Sequence, residues 1–216
     1  MSPDLVIFDC DGVLIDSETI AARTEAACLN EIGIKITTSE IASWYVGLSM
    51  SSMLADIEIR YGRRLPADFG ERLTQRAAAA FETELIATPG IETALKALRS
   101  RVCVASSSAP QRLRHSLSMV GLLRYFDPHV FSATQVEHGK PAPDLFLFAA
   151  DRMAARPDAC VVIEDSEAGI KAAVAAGMRP LGFTGGSHCG SDHADRLSQA
   201  GAAATFGQMA RLIELL

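Results

Sequence analysis

The chain has 216 residues, 49% of them hydrophobic and 21% charged, so it can bury a core without disulfides or metals as staples. Its net charge of -6 argues against nucleic acids and anionic membranes as partners, because both require basic surface patches. No segment approaches the length of a membrane span, and the short apolar start does not have the pattern of a secretory signal. We therefore expect a cytoplasmic protein whose five scattered cysteines are reduced and mostly packed.

Short apolar runs, each followed by turn residues, alternate with helical patterns along most of the chain. The runs that predict strands are 4–8, 102–105, 129–131, 160–163 and 179–183. Buried strands that alternate with helices indicate a mostly parallel sheet with helices on both faces. The sequence therefore predicts an α/β fold of the doubly wound type.

Residues 17–88 break this alternation, since they show helical patterns and no strand pattern. Within them, Thr37 and Glu40 have the spacing of a capping box that opens a helix. We expect residues 17–88 to form a helical cap domain inserted after the first strand. Residues 1–16 and 89–216 would then form the α/β core domain.

Helix-start signals follow three of the predicted strands. Pro110 and Pro143 each stand at the beginning of a helical pattern, where a proline is tolerated. Ser166 can cap a third helix, which the pattern ends at Gly177. These helices therefore begin close to the carboxyl ends of the strands that precede them.

Two carboxylates, Asp9 and Asp11, follow the first predicted strand directly. Ligands of open parallel sheets bind beyond the carboxyl ends of the strands. Side chains alternate along a strand, so Asp9 and Asp11 can share one side while Cys10 faces the other. Carboxylates this close repel each other unless a cation or a shared proton lies between them. The simpler alternative is a solvated turn.

A second acidic pair, Glu164 and Asp165, ends the strand predicted at 160–163. It repeats the pattern of a buried strand, acids at its end and a helix behind. Hard oxygen ligands from two strand ends suit Mg²⁺, which prefers few carboxylates together with waters and substrate phosphate. Taken together, the two acidic pairs predict a magnesium site at one edge of the sheet.

Groups that suit a phosphate follow two further segments. Ser106, Ser107 and Ser108 end the strand predicted at 102–105, and their hydroxyl and backbone N–H groups could hold phosphate oxygens. Plain helix capping is the alternative for these serines. Lys140 is followed by two prolines that stiffen its turn, so it could be a fixed cation that offsets phosphate and carboxylate charge. A solvated surface lysine is the alternative.

These segments, in this order, resemble the four motifs of the haloacid dehalogenase superfamily. The opening at 9–18 matches the pattern DxDGxxxDSE, and Ser106, Lys140 and the Glu164–Asp165 pair match the second, third and fourth motifs. The resemblance covers essentially the whole chain. The helical insertion looks like the C1 cap of the β-phosphoglucomutase-like branch. Stretches such as 81–85 are similar to 6-phosphogluconate phosphatase-like proteins of that branch, mainly in the scaffold.

The resemblance implies a phosphatase that forms a covalent intermediate. Asp9 would attack phosphorus and become an aspartyl phosphate. Asp11 would protonate the leaving oxygen and then take a proton from the hydrolytic water. Lys140 and Ser106 would stabilise the phosphoryl oxygens.

The resemblance also implies the metal ligands. Mg²⁺ would be held by Asp9, the carbonyl of Asp11 and Asp165, with Glu164 binding directly or through water. The metal, the lysine and helix N-termini would supply a local positive site within an acidic protein.

For the substrate, we expect a small phosphorylated metabolite such as a sugar, sugar-acid or polyol phosphate, bound by a monomer without nucleic acid or membrane. Ser107 and Gly47 are candidates for phosphate or substrate binding. Arg76, in the expected cap, could meet a distal anionic group, although a solvated helix arginine is the alternative.

Two other functions stay open. A phosphomutase of the same branch carries a histidine and two basic cap-loop residues at the positions of Ala21, Val46 and Met50, so the sequence favours a phosphatase. A non-catalytic binding module would not need Asp9 and Asp11 together. The carboxylate of Asp11 also argues against halide displacement, because the dehalogenases of the superfamily lack it.

The glycine-rich loop at 184–193 follows the last predicted strand. Its residues His188, Cys189 and His193 are metal-ligand types, but three mixed ligands on such a loop are weak evidence for zinc. We expect an ordinary flexible loop near the active edge of the sheet.

Overall fold

The computed structural model describes residues 2–45 and 50–216. Within them, six parallel strands form one sheet in the order β3-β2-β1-β4-β5-β6. The strands are β1 Leu5–Phe8, β2 Arg101–Ser106, β3 Val130–Ser132, β4 Cys160–Glu164, β5 Arg179–Phe183 and β6 Ala204–Phe206. The predicted α/β fold with a parallel sheet is confirmed. Of these strands only β6, which is three residues long and half-buried for most of its length, lacked a sequence signal.

Helices connect the strands. They are α1 Glu18–Glu31, α2 Thr38–Tyr45, α3 Met50–Tyr61, α4 Phe69–Glu84, α5 Ile91–Ala97, α6 Pro110–Met119, α7 Leu123–Phe126, α8 Asp144–Arg152, α9 Glu167–Ala175, α10 His193–Ala200 and α11 Leu212–Leu215. Short 3₁₀ turns at Ala133–Gln135, Pro157–Ala159 and Met209–Arg211 complete the regular structure. Among the described residues, no helix combines the length and the apolar character needed to cross a membrane.

The start signals of three helices act as predicted. Helix α6 begins at Pro110. The Ser166 hydroxyl accepts the backbone N–H of Gly169 at 3.0 Å and so caps α9. At α2, the Thr37 hydroxyl accepts the Glu40 N–H at 3.1 Å, while the Glu40 carboxylate accepts the Thr37 N–H at 2.8 Å. This reciprocal pair is the predicted capping box.

The chain divides into two compact units, Met1–Asp16 with Ile86–Leu216, and Ser17–Leu85. The second boundary lies between Leu85 and Ile86, before Pro89, because the segment that follows β1 forms hydrogen bonds with the segment that follows the helical unit. The Asp16 N–H donates to the Ile86 carbonyl at 3.0 Å, and the Thr88 N–H donates to the Leu14 carbonyl at 3.0 Å. That the second unit is a cap domain stays a prediction.

Each unit has its own apolar core. The sheet unit packs Ile7, Val162 and Phe146 with other buried residues between the sheet and its helices. The helical unit, in which the described residues contain no strand, buries Leu29 and Phe69 at its centre. Each core can therefore hold its own unit together.

Strand β1 occupies the middle of the sheet and sets the position of the acidic residues. All four of its residues are buried, and Phe8 pairs with Val104 on β2 and Ile163 on β4. Parallel strands end at the same edge, so the residues that follow β1 and β4 lie beside each other. This register brings Asp9 next to Glu164.

Candidate active site

A buried lysine joins the ends of β1 and β4. Lys140 Nζ donates to Asp9 Oδ1 at 2.7 Å and to Glu164 Oε1 at 2.6 Å. Its side chain is only 4% exposed. Since a buried charge is costly unless it is paired and hydrogen-bonded, the two carboxylates and the lysine stabilise one another.

The acids of the two strand ends form one cluster. Oxygen atoms of Asp9, Glu164 and Asp165 lie within 4.8 Å of one another. Burial raises the pKa of Asp9 well above its usual range; Lys140 opposes this shift and the two neighbouring acids add to it. Burial alone would lower the pKa of Lys140, but Asp9 and Glu164 raise it above its usual value. The lysine therefore stays charged among carboxylates that repel one another.

The Glu164 carboxylate is held on every side. Its Oε2 accepts the backbone N–H of Ser166 at 2.8 Å and the Ser166 hydroxyl at 2.9 Å, while Oε1 meets Lys140. The carboxylate also packs against Gly169, where an added Cβ would lie 1.8 Å from Oε1. Glu164 therefore anchors Lys140 and has little freedom to turn toward another ligand.

The cluster fits a divalent metal. Asp9, Glu164 and Asp165 are three buried carboxylates, the first two of which share Lys140, and carboxylate oxygen is the ligand type that Mg²⁺ prefers. The oxygens of Glu164 are already engaged, so Asp9 and Asp165 are the residues best able to bind such an ion directly. A bound metal ion would add positive charge and so reduce the repulsion between the buried carboxylates.

Asp11 has partners different from those of Asp9. Ser108 Oγ donates to Asp11 Oδ2 at 2.7 Å, and Arg112 Nη2 donates to Asp11 Oδ1 at 2.7 Å. A second Arg112 nitrogen, Nη1, lies 3.3 Å from Oδ2, so the guanidinium spans both carboxylate oxygens. No sequence pattern indicated Arg112, because it is one of several polar residues in the segment that forms α6.

The serines after β2 occupy different environments. Ser106 is buried, and its hydroxyl accepts the Ser108 N–H at 3.2 Å. Ser107, predicted to bind phosphate, is exposed, and it is Ser108 that contacts Asp11.

Arg76 and Gly47, which were predicted to bind substrate, are not among the described residues of the sheet unit. Arg76 pairs with Glu31 at 2.5 Å inside the helical unit, and both side chains are about half exposed. Its guanidinium is therefore engaged by a carboxylate of its own unit. Gly47 lies outside the described residues.

The loop at 184–193 reaches the acidic cluster. His188 Nε2 lies 2.9 Å from Asp165 Oδ2, and His193 Nε2 lies 2.7 Å from the Asp165 backbone oxygen. Burial disfavours the charged ring, yet Asp165 and Cys189 together raise the pKa of His188 to about 11. The expectation of an ordinary loop missed these contacts. The spacing of five residues between His188 and His193 was a signal, but nothing in the sequence indicated that they contact Asp165.

Comparisons with known proteins test the family resemblance found in the motifs. The family model described as haloacid dehalogenase-like hydrolase matches residues 3–177. The 6-phosphogluconate phosphatase of Escherichia coli is 30% identical over 186 residues, which cover 86% of this chain and 84% of that protein. These matches confirm the resemblance found in the motifs.

Solved structures share the fold. A haloacid dehalogenase-like protein of unknown function from Agrobacterium tumefaciens has a TM-score of 0.90 at 39% identity, covering 99% of this chain and 97% of that one. A putative β-phosphoglucomutase from Thermotoga maritima has a TM-score of 0.76 at 27% identity, covering 100% of this chain and 98% of that one.

The charge of Asp9 predicts a pH-dependent stability. Because its pKa is raised on folding, its ionisation costs the folded chain stability. That cost is absent below the unfolded pKa of about 3.9 and grows as the pH rises through the raised value. In EDTA we expect Asp9→Asn to melt at a higher temperature than the wild type, by a margin that widens with rising pH. Asp158→Asn, at an exposed acid, is the control, and a lower melting temperature for Asp9→Asn at every pH would contradict the account.

The close packing of Gly169 predicts a local sensitivity. An alanine there meets the Glu164 carboxylate in a dense site, so we expect Gly169→Ala to destabilise the protein by about 1–3 kcal/mol in chemical denaturation. Gly70→Ala is the matched control, since Gly70 also lies in the first turn of a helix and its added Cβ would be 3.3 Å from a Leu54 methyl group. We expect that change to shift stability by less than about 1 kcal/mol. Equal effects for the two variants would show that Glu164 is not tightly held.

Proposed function

The chain belongs to the haloacid dehalogenase-like hydrolase family, and we propose that it is a Mg²⁺-dependent phosphatase that hydrolyses phosphate monoesters of small carbohydrates. The observation that carries the proposal is the buried Lys140 that bridges Asp9 and Glu164 at the carboxyl ends of two central strands. A nucleophilic carboxylate beside a fixed cation, with a second acid that holds this cation, supplies groups that phosphoryl transfer requires in one place.

In the first step, the Asp9 carboxylate attacks phosphorus. The bond from phosphorus to the leaving oxygen breaks, and Asp11 gives that oxygen a proton. The product is an alcohol together with a phosphoryl group carried on Asp9. Lys140, held by Glu164, directs its charge at Asp9 and at the oxygens of the transferred group.

In the second step, water attacks the phosphorus of the aspartyl phosphate while Asp11 takes its proton. The bond between phosphorus and the Asp9 oxygen breaks, which releases inorganic phosphate and restores Asp9. Asp11 is then protonated and ready for the next ester, so one residue serves as acid and base in turn. The buried hydroxyl of Ser106, at the end of β2, would bind a phosphoryl oxygen in both steps.

Asp9 and Asp165, with the carbonyl of Asp11, are the groups that would hold Mg²⁺, and Glu164 would contribute through water. When bound, the ion supplies positive charge that offsets the carboxylates and the phosphate in an acidic protein. Asp165 has no lysine partner in the cluster, which suits the role of a metal ligand.

Asp11 must change partners during the cycle. To donate a proton it exchanges the contacts with Ser108 and Arg112 for the leaving oxygen of the substrate. Arg112, whose side chain is 40% exposed, would then lie beside the bound ester. The guanidinium could pair with an anionic group of the substrate, which supports sugar-acid phosphates as members of the substrate class.

The similarity to the 6-phosphogluconate phosphatase supports the same class. A phosphomutase is the second candidate, supported by the similarity to the putative β-phosphoglucomutase. Ala21, half-buried in α1, stands where the mutases carry a histidine, and this favours the phosphatase.

The activity can be tested directly. We expect purified protein to release phosphate from at least one compound in a panel of sugar, sugar-acid and polyol monophosphates when Mg²⁺ is present, and to release none in EDTA. Asp9→Asn should abolish the release because it removes the nucleophile. Asp11→Asn should lower kcat by about 10² to 10⁴, the usual contribution of a general acid–base group.

Asp158→Asn, at an acid that is 63% exposed on the surface, is the matched control and should retain full activity. Isomerisation of a hexose 1-phosphate without phosphate release would replace the phosphatase with the mutase. Release that persists in Asp9→Asn would contradict the proposed nucleophile.

A further inference from the structure

Two histidines of the 184–193 loop enclose Asp165, the acid of the cluster that has no lysine partner. His188 contacts its carboxylate, and His193 contacts its backbone oxygen. We call this pair, His188 and His193, the histidine clamp. The mechanism above uses neither residue.

The carboxylate contact is buried and close. The His188 side chain is 2% exposed, and its Nε2 donates to Asp165 Oδ2 across 2.9 Å. Gly12 packs against the same oxygen, since an added Cβ there would lie 1.9 Å from Oδ2 and 2.9 Å from His188 Cε1. Oδ2 is thus enclosed by Gly12 and His188, which leaves Oδ1 as the oxygen for another ligand.

The contact with His193 fixes the main chain of Asp165. A carbonyl oxygen only accepts, so His193 Nε2 carries the proton and donates to Asp165 across 2.7 Å. His193 is 6% exposed and opens α10, so its position is tied to a helix. The clamp therefore fixes both the main chain and the side chain of Asp165.

The loop that carries His188 is itself anchored. The Ser187 N–H and hydroxyl both donate to Asp16 Oδ1, at 3.2 and 2.8 Å. Gly186 packs against the His188 ring, where an added Cβ would lie 2.6 Å from Cε1. The Ser187 contacts join the loop after β5 to the segment after β1.

Charge explains why Asp165 needs such a partner. Lys140 pairs with Asp9 and Glu164, whereas His188 supplies the opposing hydrogen-bond donor for the third buried acid. A carboxylate that could rotate away from its neighbours would do so, because they repel it. A residue that hydrogen-bonds to a metal-binding side chain holds that side chain in the orientation that binds the metal.

We propose that His188 and His193 are positioning residues that hold Asp165 in place for the divalent metal. The proposal rests on the metal site of the proposed function. The sequence motifs of the family pointed to Asp165 but not to this loop.

A direct ligand role for the same loop is the competing explanation. Donor atoms of His188, Cys189 and His193 lie within 4.8 Å of one another, and Cys189 Sγ is 3.5 Å from His188 Nε2. The structure favours positioning, because the Nε2 atoms of both rings already contact Asp165 at hydrogen-bond distance. A softer ion such as Co²⁺ separates the two explanations, since thiolate binding gives a charge-transfer absorption that oxygen ligands do not.

The test measures metal binding without turnover. Protein stripped with EDTA and then freed of chelator is titrated with Mn²⁺, and the free ion is followed by electron paramagnetic resonance. We expect His188→Leu to weaken Mn²⁺ binding by about 10- to 100-fold, the usual effect of removing a partner of a metal ligand. His188→Gln, which keeps a donor in place of Nε2, should recover most of the affinity, and His129→Leu, at an exposed histidine, should bind as the wild type does.

Circular dichroism and thermal unfolding in EDTA show whether each variant folds. If His188→Leu does not fold, His188→Gln still tests the proposal. Wild-type affinity in folded His188→Leu would overturn the proposal. So would a Co²⁺ charge-transfer band that disappears in Cys189→Ser, because the loop would then bind a metal itself.

Failure of the histidine clamp can be told apart from failure of the proposed phosphatase function. A wild-type protein that binds no Mn²⁺ would overturn the clamp together with the proposed metal dependence. A wild-type protein that binds Mn²⁺ with the expected His188 effect, yet hydrolyses no phosphate ester, would support the clamp and contradict only the proposed function.

Discussion

The buried pairing of Lys140 with Asp9 and Glu164 is the interaction on which the rest of the site depends. Removing Lys140 would leave two buried carboxylates without their opposing charge, at a cost of about 3–5 kcal/mol. The pairing is possible because β1 and β4 are adjacent and end at the same edge of the sheet. The lysine is therefore both a structural link between two strands and the cation beside the proposed nucleophile.

Much of this edge could be predicted because it follows strand order. Buried apolar runs that end in acids placed Asp9 and Glu164 at strand ends, and a parallel sheet brings its strand ends together. The prolines after Lys140 indicated a fixed turn, and the capping box at Thr37 acted locally as its spacing requires. These features could be predicted because capping, proline turns and parallel strand order each depend on only a few residues.

The partners behind these groups could not be predicted in the same way. Arg112 reaches Asp11 from the first turn of α6, and His188 reaches Asp165 from a loop that follows a different strand. Such contacts depend on side-chain directions between distant segments, and no spacing in the sequence encodes them. Arg76 shows the reverse case, a candidate for substrate binding that the structure pairs with Glu31 in its own unit.

The central claim is that Asp9 carries the phosphoryl group, and acid quenching followed by mass spectrometry tests it most directly. Protein mixed with Mg²⁺ and a substrate found in the phosphate-release panel would be quenched within one turnover and digested. The account predicts that the peptide containing Asp9 gains the mass of one phosphoryl group, more abundantly in Asp11→Asn, where hydrolysis of the intermediate is slowed. A phosphoryl group on another residue, or none on any peptide while phosphate is released, would contradict the account.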